Sequence, residues 1–229
     1  MKVSLFVPVK DEIEGLRSIL PRIKKEWIHQ VVFIDGNSKD GSVEYIESLG
    51  YKVIPQSKPG LLNAWWEGFD ASTGDVIIPF SPDNNSVPED IPKLIEKMGE
   101  GYDIVIASRY AKGARSEDDD IMSYLANRLF TALINLLFRF HYTDALTMYK
   151  AFRKDLLTEL KLEEHRKDHF EIMLACRAAR RKLKVTEIPS IEPKRLGSDY
   201  SRAHPGKFGK YKSAIEFLVI IFRDWLKFK

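Results

Sequence analysis

Residues 31–42 read Val31-Val32-Phe33-Ile34-Asp35-Gly36-Asn37-Ser38-Lys39-Asp40-Gly41-Ser42. A β-branched apolar run that stops at an aspartate and a cluster of turn formers marks a buried strand delivering polar side chains to a loop. The same unit repeats on both sides of it. Apolar runs at 3–8, 51–55, 75–80 and 103–107 are bounded by turn formers or charges, and amphipathic stretches fill the intervals at 12–25, 40–49, 61–71 and 88–98. Pro88 suits the first turn of the last of these. Five strands alternating with helices predict an α/β fold built on a parallel, doubly wound sheet.

Ligands of such sheets bind in the crevice beyond the carboxyl ends of the strands. Pro8-Val9-Lys10-Asp11-Glu12 follows the first strand, Asp35-Gly36-Asn37-Ser38 the second, Ser81-Pro82-Asp83-Asn84-Asn85 the fourth and Ser108-Arg109 the fifth. Each alone reads equally well as a cap or a turn, Asp40 capping a helix and Asn37 taking a left-handed position. Four together at strand ends point to one ligand cleft. Asp83 and Asn85, two apart in an extended loop, offer one carboxylate and one amide oxygen on the same side. That set suits a hard divalent cation, Mg²⁺ or Mn²⁺, held weakly by the protein alone and completed by a diphosphate. Lys10, Lys58 and Arg109 add positive charge around it.

Composition narrows the classes. The 229 residues carry 36 Lys+Arg against 33 Asp+Glu, and a net charge of +3 is too small an excess to indicate a nucleic-acid partner. A hydrophobic content of 44% supports a packed core in one sizeable domain. Cys176 is the sole cysteine, and Met1-Lys2 leads into a short apolar run without the pattern of a signal peptide, so a cytoplasmic location is expected. Gly-x-x-x-x-Gly-Lys and Gly-x-Gly-x-x-Gly do not occur, which removes the main support for a P-loop enzyme or a dinucleotide-binding domain. His29, His141, His165, His169 and His204 show no metal-ligand spacing with Cys176, and Gly-x-Ser-x-Gly is missing, so zinc and serine-hydrolase chemistry have little basis.

Taken in order over about residues 3–200, the motifs resemble the family 2 glycosyltransferases of the GT-A fold. Within them they are most similar to the polyprenyl-phosphate sugar synthases of the dolichol-phosphate mannose synthase kind. Val7-Pro8-Val9-Lys10-Asp11-Glu12 resembles the opening Val-Pro-x-x-Asn-Glu, and Ile34 to Ser42 resembles the Asp-x-x-Ser-x-Asp-Gly-Thr loop. Gly60, Ala64, Gly68, Ala71 and Gly74-Asp75 keep the spacing of the following helix. Ser81-Pro82-Asp83-Asn84-Asn85 falls on Asp-x-Asp-x-Gln, Ser108-Arg109-Tyr110 on Gly-Ser-Arg-Tyr, and Arg195-Leu196-Gly197-Ser198 on Arg-x-x-Gly-x-Ser-Lys. The resemblance implies a mostly parallel, Rossmann-like sheet flanked by helices in a single domain over 1–229, with a nucleotide-sugar half at 1–112 and an acceptor half at 113–229. It implies that Pro8, Glu12 and Asp35, with Lys58 and Gly60, hold the nucleotide, and that Asp83 and Asn85 sit at the metal and diphosphate. Arg109 and Arg195 would meet phosphate, and Glu171 would lie beneath the acceptor, near Asp144 and the run Tyr149 to Arg153. Three departures stand out: Ser81 replaces a carboxylate, Gly36 replaces an aspartate, and the lysine after the Gly-x-Ser segment is out of register.

The reaction implied is an inverting transfer of a sugar from a nucleoside diphosphate sugar to a polyprenyl or dolichyl phosphate. A phosphate monoester is anionic at neutral pH and attacks without a general base, so alignment and cations are what the protein must supply. A glycan hydroxyl is the alternative acceptor, with Glu171 as its base, and a nucleotide-sugar-binding subunit without turnover is the reading from another class. The run 121–140 is nearly continuously apolar, but Arg128 and Asn135 argue against a membrane span and for an interfacial helix. The tail at 214–228 interleaves Phe217, Phe222, Trp225 and Phe228 with basic residues and reads as a second surface anchor or a partner helix. A peripheral attachment to the membrane surface, or reliance on a membrane-anchored partner subunit, is therefore expected. The acidic run Glu117-Asp118-Asp119-Asp120 is expected to be a solvated cap region ahead of the helix.

Overall fold

The computed structural model describes residues 1–197 and 209–227. Strand and helix alternate first through β1 (Val3–Val9), α1 (Ile13–Ile19), β2 (Gln30–Asp35), α2 (Ser42–Ser48), β3 (Val53–Pro55), α3 (Leu61–Ala71), β4 (Val76–Pro79), α4 (Ile91–Gly99) and β5 (Ile104–Ser108). There follow β6 (Arg115–Ser116), α5 (Ile121–Phe138), β7 (Lys150–Arg153), α6 (Leu156–Glu159), α7 (Phe170–Arg181), β8 (Val185–Pro189), β9 (Ile191–Glu192) and α8 (Gly209–Lys227). Seven strands form one sheet in the order β3-β2-β1-β4-β7-β5-β8, while β6 and β9 make a separate parallel pair.

The sheet is mostly parallel, as the resemblance implied, where alternation alone predicted a parallel one. β7 runs antiparallel between β4 and β5, so a strand from the second half of the chain sits inside the sheet of the first. Its four residues, Lys-Ala-Phe-Arg, are too few and too charged to show a strand period. Buried neighbours on both sides impose the strand, and Lys150 is left only 2% exposed.

Each face of the sheet is covered. On one, Phe69 of α3 and Phe170 of α7 meet at 4.6 Å between ring centroids and close over Phe6 and Phe152. α3 lies this close because residue 68 is glycine: a Cβ there would stand 2.2 Å from the Phe6 ring. On the other face Leu16, Ile19, Ile46, Leu94 and Met98 pack over Leu5, Val7, Phe33 and Val105. α1 stops at Ile19, short of the expected residue 25, because Pro21 brings no N–H and the chain tightens into a 3₁₀ turn at Leu20–Arg22. Within α1, Gly15 lets the helix press on the loop after β4, since a Cβ would fall 2.1 Å from the Pro82 carbonyl oxygen.

α8 is fastened to α7 by a buried ion pair, Arg177 Nε to Asp224 Oδ2 at 2.8 Å, and to α5 by an edge-on contact of Phe130 with Phe217. Phe130, Thr131, Ile134 and Phe138 are the buried side of α5. Ile121, Met122, Leu125, Leu129 and Leu136 of α5 and Tyr211, Ile215, Val219, Phe222 and Leu226 of α8 are exposed. Among the described residues α5 is the one helix long and apolar enough to cross a membrane.

Candidate active site

The loops after β1 and β2 are knitted together by their own polar side chains. Asp35 accepts from the N–H of Asn37 at 2.9 Å and of Ser38 at 3.2 Å, which holds Asn37 in its left-handed conformation. Ser38 Oγ accepts from Asp11 N, and Asp11 Oδ1 accepts from Lys39 N at 2.7 Å. Asp40 does not cap its own helix alone: Oδ2 takes the N–H of Ile13, the first residue of α1, while Oδ1 takes that of Ser42. Burial works against its charge, but the Ser42 hydroxyl and these backbone donors hold its pKa below the ordinary carboxylate value. Glu12 is buried beside this knot, its N–H bonded to Ser42 Oγ at 3.0 Å. Gly60 opens α3 at a φ of 108°, and the loop before it is pinned from both ends. Gln56 Nε2 donates to the carbonyls of Lys58 and Gly60, and Glu67 accepts from the N–H groups of Ser57 and Lys58.

The loop after β4 stands at the middle of the sheet's carboxyl edge. Asp83 Oδ1 accepts from the Ser81 hydroxyl and from Asn85 N at 3.1 Å, leaving Oδ2 without a bond among the described residues. Asn85 spends its Nδ2 on the Pro193 carbonyl at 2.8 Å, so its Oδ1 is the atom left for a cation. One carboxylate oxygen and one amide oxygen fit a hard divalent ion that a diphosphate completes. Among the described residues no three His, Cys, Asp or Glu gather as a full protein cage. A strap at 193–197 crosses this loop: Leu196 N donates to the Asp83 carbonyl at 2.8 Å, and Asn84 Nδ2 donates to the Lys194 carbonyl at 3.1 Å. Gly197 comes to rest beside Glu12. Ser198 lies outside the described residues.

The two expected phosphate-binding arginines are brought to the same side and are both engaged. Arg109 forks onto Asp144, Nε to Oδ2 at 2.7 Å and Nη2 to Oδ1 at 3.0 Å, with Glu192 at 3.5 Å and Asp119 at 3.8 Å from Nη1. Burial opposes its charge, but Asp144 outweighs it and raises the guanidinium pKa. Arg195 is held by Asp118, which accepts from both its N and its Nε at 3.1 Å. Partial burial opposes that charge too, and Asp83 first, then Asp118, raise its pKa. The acidic run is therefore not the solvated cap region expected. Asp120 does cap α5, accepting from Ser123 N at 2.6 Å, but Asp118 and Asp119 are folded inward onto Arg195, Arg109 and the Tyr110 hydroxyl. Like charges in a row are tolerated because each has found its own partner.

Glu171 lies in the first turn of α7 and makes no hydrogen bond or ion pair to Asp83, Arg109 or Arg195. Its charge acts on Lys150, whose buried ammonium is pushed down to about 8 by desolvation in spite of Glu171 and Asp144. Glu192, the partner of Arg109, went unremarked in the sequence, although it stands three residues before Arg195. A separate open cavity of about 800 Å³ lies at the opposite end of the sheet, lined by Asp75, Asp103 and Arg153 among others. Its arginine is already paired with Asp103, Asp155 and Glu159, and none of the residues above reaches it.

A mostly parallel sheet with its polar loops gathered at one carboxyl edge, an aspartate loop in the middle and arginines on one flank defines an α/β fold of the ligand-binding, doubly wound class. The profile of glycosyl transferase family 2 matches residues 4–161, and the chain belongs to that family. It is 31% identical over 199 residues to a dolichol-phosphate mannosyltransferase of Pyrococcus furiosus, covering 82% of this chain and 56% of that one. It is 28% identical to an undecaprenyl-phosphate 4-deoxy-4-formamido-L-arabinose transferase of Proteus mirabilis, over 87% of this chain and 63% of that one. The chain thus spans about three fifths of the length of these relatives. A solved structure of glucosyl-3-phosphoglycerate synthase from Mycobacterium tuberculosis, with Mn²⁺, UDP and phosphoglyceric acid, shares the fold. Its TM-score is 0.68 at 16% identity, over 98% of this chain and 78% of that one.

Proposed function

We propose that this chain moves a sugar, with inversion, from a nucleoside diphosphate sugar to a polyprenyl or dolichyl phosphate at a membrane surface. The observation that carries the reading is the link from Arg109 to α5 through Tyr110, whose ring meets the guanidinium groups of both Arg109 and Arg128. Asn127 of α5 donates to the Tyr110 hydroxyl at 3.0 Å and Arg128 lies over the Tyr110 ring, while Leu125 and Leu129 of the same helix are exposed. A lipid phosphate at Arg109 would leave its chain along apolar α5, with Arg128, Arg139 and Lys212 exposed around the apolar face to meet anionic headgroups. The relatives in archaea and bacteria, named for dolichol-phosphate and undecaprenyl-phosphate transfer, support the same acceptor class.

In this reading Pro8, Glu12 and Asp35 seat the base and ribose, and Lys58 and Gly60 face the diphosphate at the amino end of α3, where helix N–H groups favour anions. Asp83 and Asn85 would hold a Mg²⁺ or Mn²⁺ ion, which when bound would supply positive charge to the diphosphate leaving group. A phosphate oxygen of the lipid bonds to the anomeric carbon as the carbon–oxygen bond to the diphosphate breaks, its electron pair leaving with the nucleotide. Arg109 and Arg195 draw the two anions together, and no side chain needs to take a proton.

The test is to incubate the protein with labelled nucleotide sugars of several bases and polyprenyl phosphate in liposomes. Label is expected in a lipid that mild acid cleaves. Label in oligosaccharide would favour a glycan hydroxyl acceptor, and nucleotide binding with no donor consumed would favour a subunit without turnover, the reading that Ser81 motivates.

A further inference from the structure

Arg195 stands on a strap that is already closed over the loop where a cation would load. Pro193, Lys194 and Leu196 are each hydrogen-bonded to Asn85, Asn84 and Asp83 in turn, at 2.8, 3.1 and 2.8 Å. The residue between them cannot drift from Asp83 without breaking those bonds. Asp118 fixes its direction by accepting from both the backbone N–H and Nε. On the loop itself Ser81 contributes a hydroxyl that donates to Asp83 Oδ1, so one carboxylate carries all the negative charge there. Arg195 is paired with Asp118 and makes no ion pair to Asp83 among the described residues, so it acts on the free Asp83 oxygen through its field. A divalent ion arriving alone would have to shed water for one carboxylate oxygen and one amide in that field.

Resting on the reading above, we propose that Arg195 is the stand-in cation of the Asp83 loop, competing with the divalent ion until a nucleoside diphosphate arrives. The diphosphate then supplies the oxygens that complete the metal shell and enough negative charge to hold both cations. Arg195 therefore opposes metal binding in the free protein and promotes it in the donor-bound one, with Asp118 as its positioning residue. A purely structural strap would act in the same direction in both states.

Mn²⁺ uptake, read as loss of the free-ion electron paramagnetic resonance signal beyond that caused by the same nucleotide without protein, separates these cases when measured without nucleotide and with UDP, GDP, ADP or CDP. Wild type is expected to take up Mn²⁺ at least about tenfold more tightly with one of these nucleotides than alone. Arg195→Gln is expected to tighten Mn²⁺ binding without nucleotide and weaken it with nucleotide, each by about threefold to tenfold. Ser81→Asp, which adds a carboxylate, is expected to create nucleotide-independent binding. Melting curves check that each variant is folded, and the opposite signs of the Arg195→Gln effect in the two states carry the test. Equal Mn²⁺ affinity with and without nucleotide, or an Arg195→Gln loss in both states, overturns the proposal alone. Failure of every nucleotide to bind, with or without Mn²⁺, overturns the proposal and the donor reading together.

Discussion

Asp83 and Arg109 were both legible as chemistry, and the structure adds what each costs to remove. Asp83 is partly exposed and held by two light bonds, so Asp83→Ala should leave the melting midpoint nearly unchanged while lowering transfer by about 100-fold or more in the radiolabel assay. Arg109→Ala is different, because it strands Asp144, which is 0% exposed. It should raise the acceptor KM and also destabilise the fold by about 3–5 kcal/mol in urea titration, whereas an unchanged midpoint would mean that Asp144 finds another partner. Lys150 gives a third prediction at this scale. Its folded pKa of about 8 lies below the model-peptide 10.5, so between those values the unfolded chain binds more protons and stability rises with pH. Lys150→Met should therefore stabilise by about 1–3 kcal/mol at pH 7 and lose most of that advantage by pH 10.5; a gain that does not change with pH would rule out a charged Lys150 as the cause.

At the scale of elements, local signals worked where they were closed on both sides. α3 runs over the expected residues 61–71, bracketed by Gly60 at positive φ and by Ser72, whose hydroxyl bonds back to the Gly68 carbonyl. β7 failed because its burial comes from β4 and β5 rather than from any period of its own. From composition the outer side of α5 was expected to be interfacial and the tail that forms α8 to be a second surface anchor or a partner helix, and both helices carry exposed apolar residues. Leu125→Glu with Leu129→Glu, at residues 56% and 67% exposed, should lower liposome cosedimentation at least about tenfold with nucleotide affinity and melting unchanged. Undiminished sedimentation would move the lipid contact off α5.

For the whole molecule, residues 1–112 and 113–229 are interleaved in one sheet rather than folded as separate units. β4 and β5 are joined only through β7, and β5 is flanked on its other edge by β8. A chain cut after residue 112 should therefore show no cooperative urea transition by circular dichroism, its two strands being left with open edges and an uncovered aromatic face. The first five strands with their turns, and the polar loops that follow them, were determined by the sequence itself, because strand period and turn chemistry act over a few neighbouring residues. Which carboxylate holds which arginine was decided only by the tertiary structure. Arg109 and Asp144 are 35 residues apart, Arg195 and Asp118 are 77, and Arg109 and Glu192 are 83. At such separations a charge's partner depends on which loops the folded sheet brings within a few ångströms, and on which ions lose their water together.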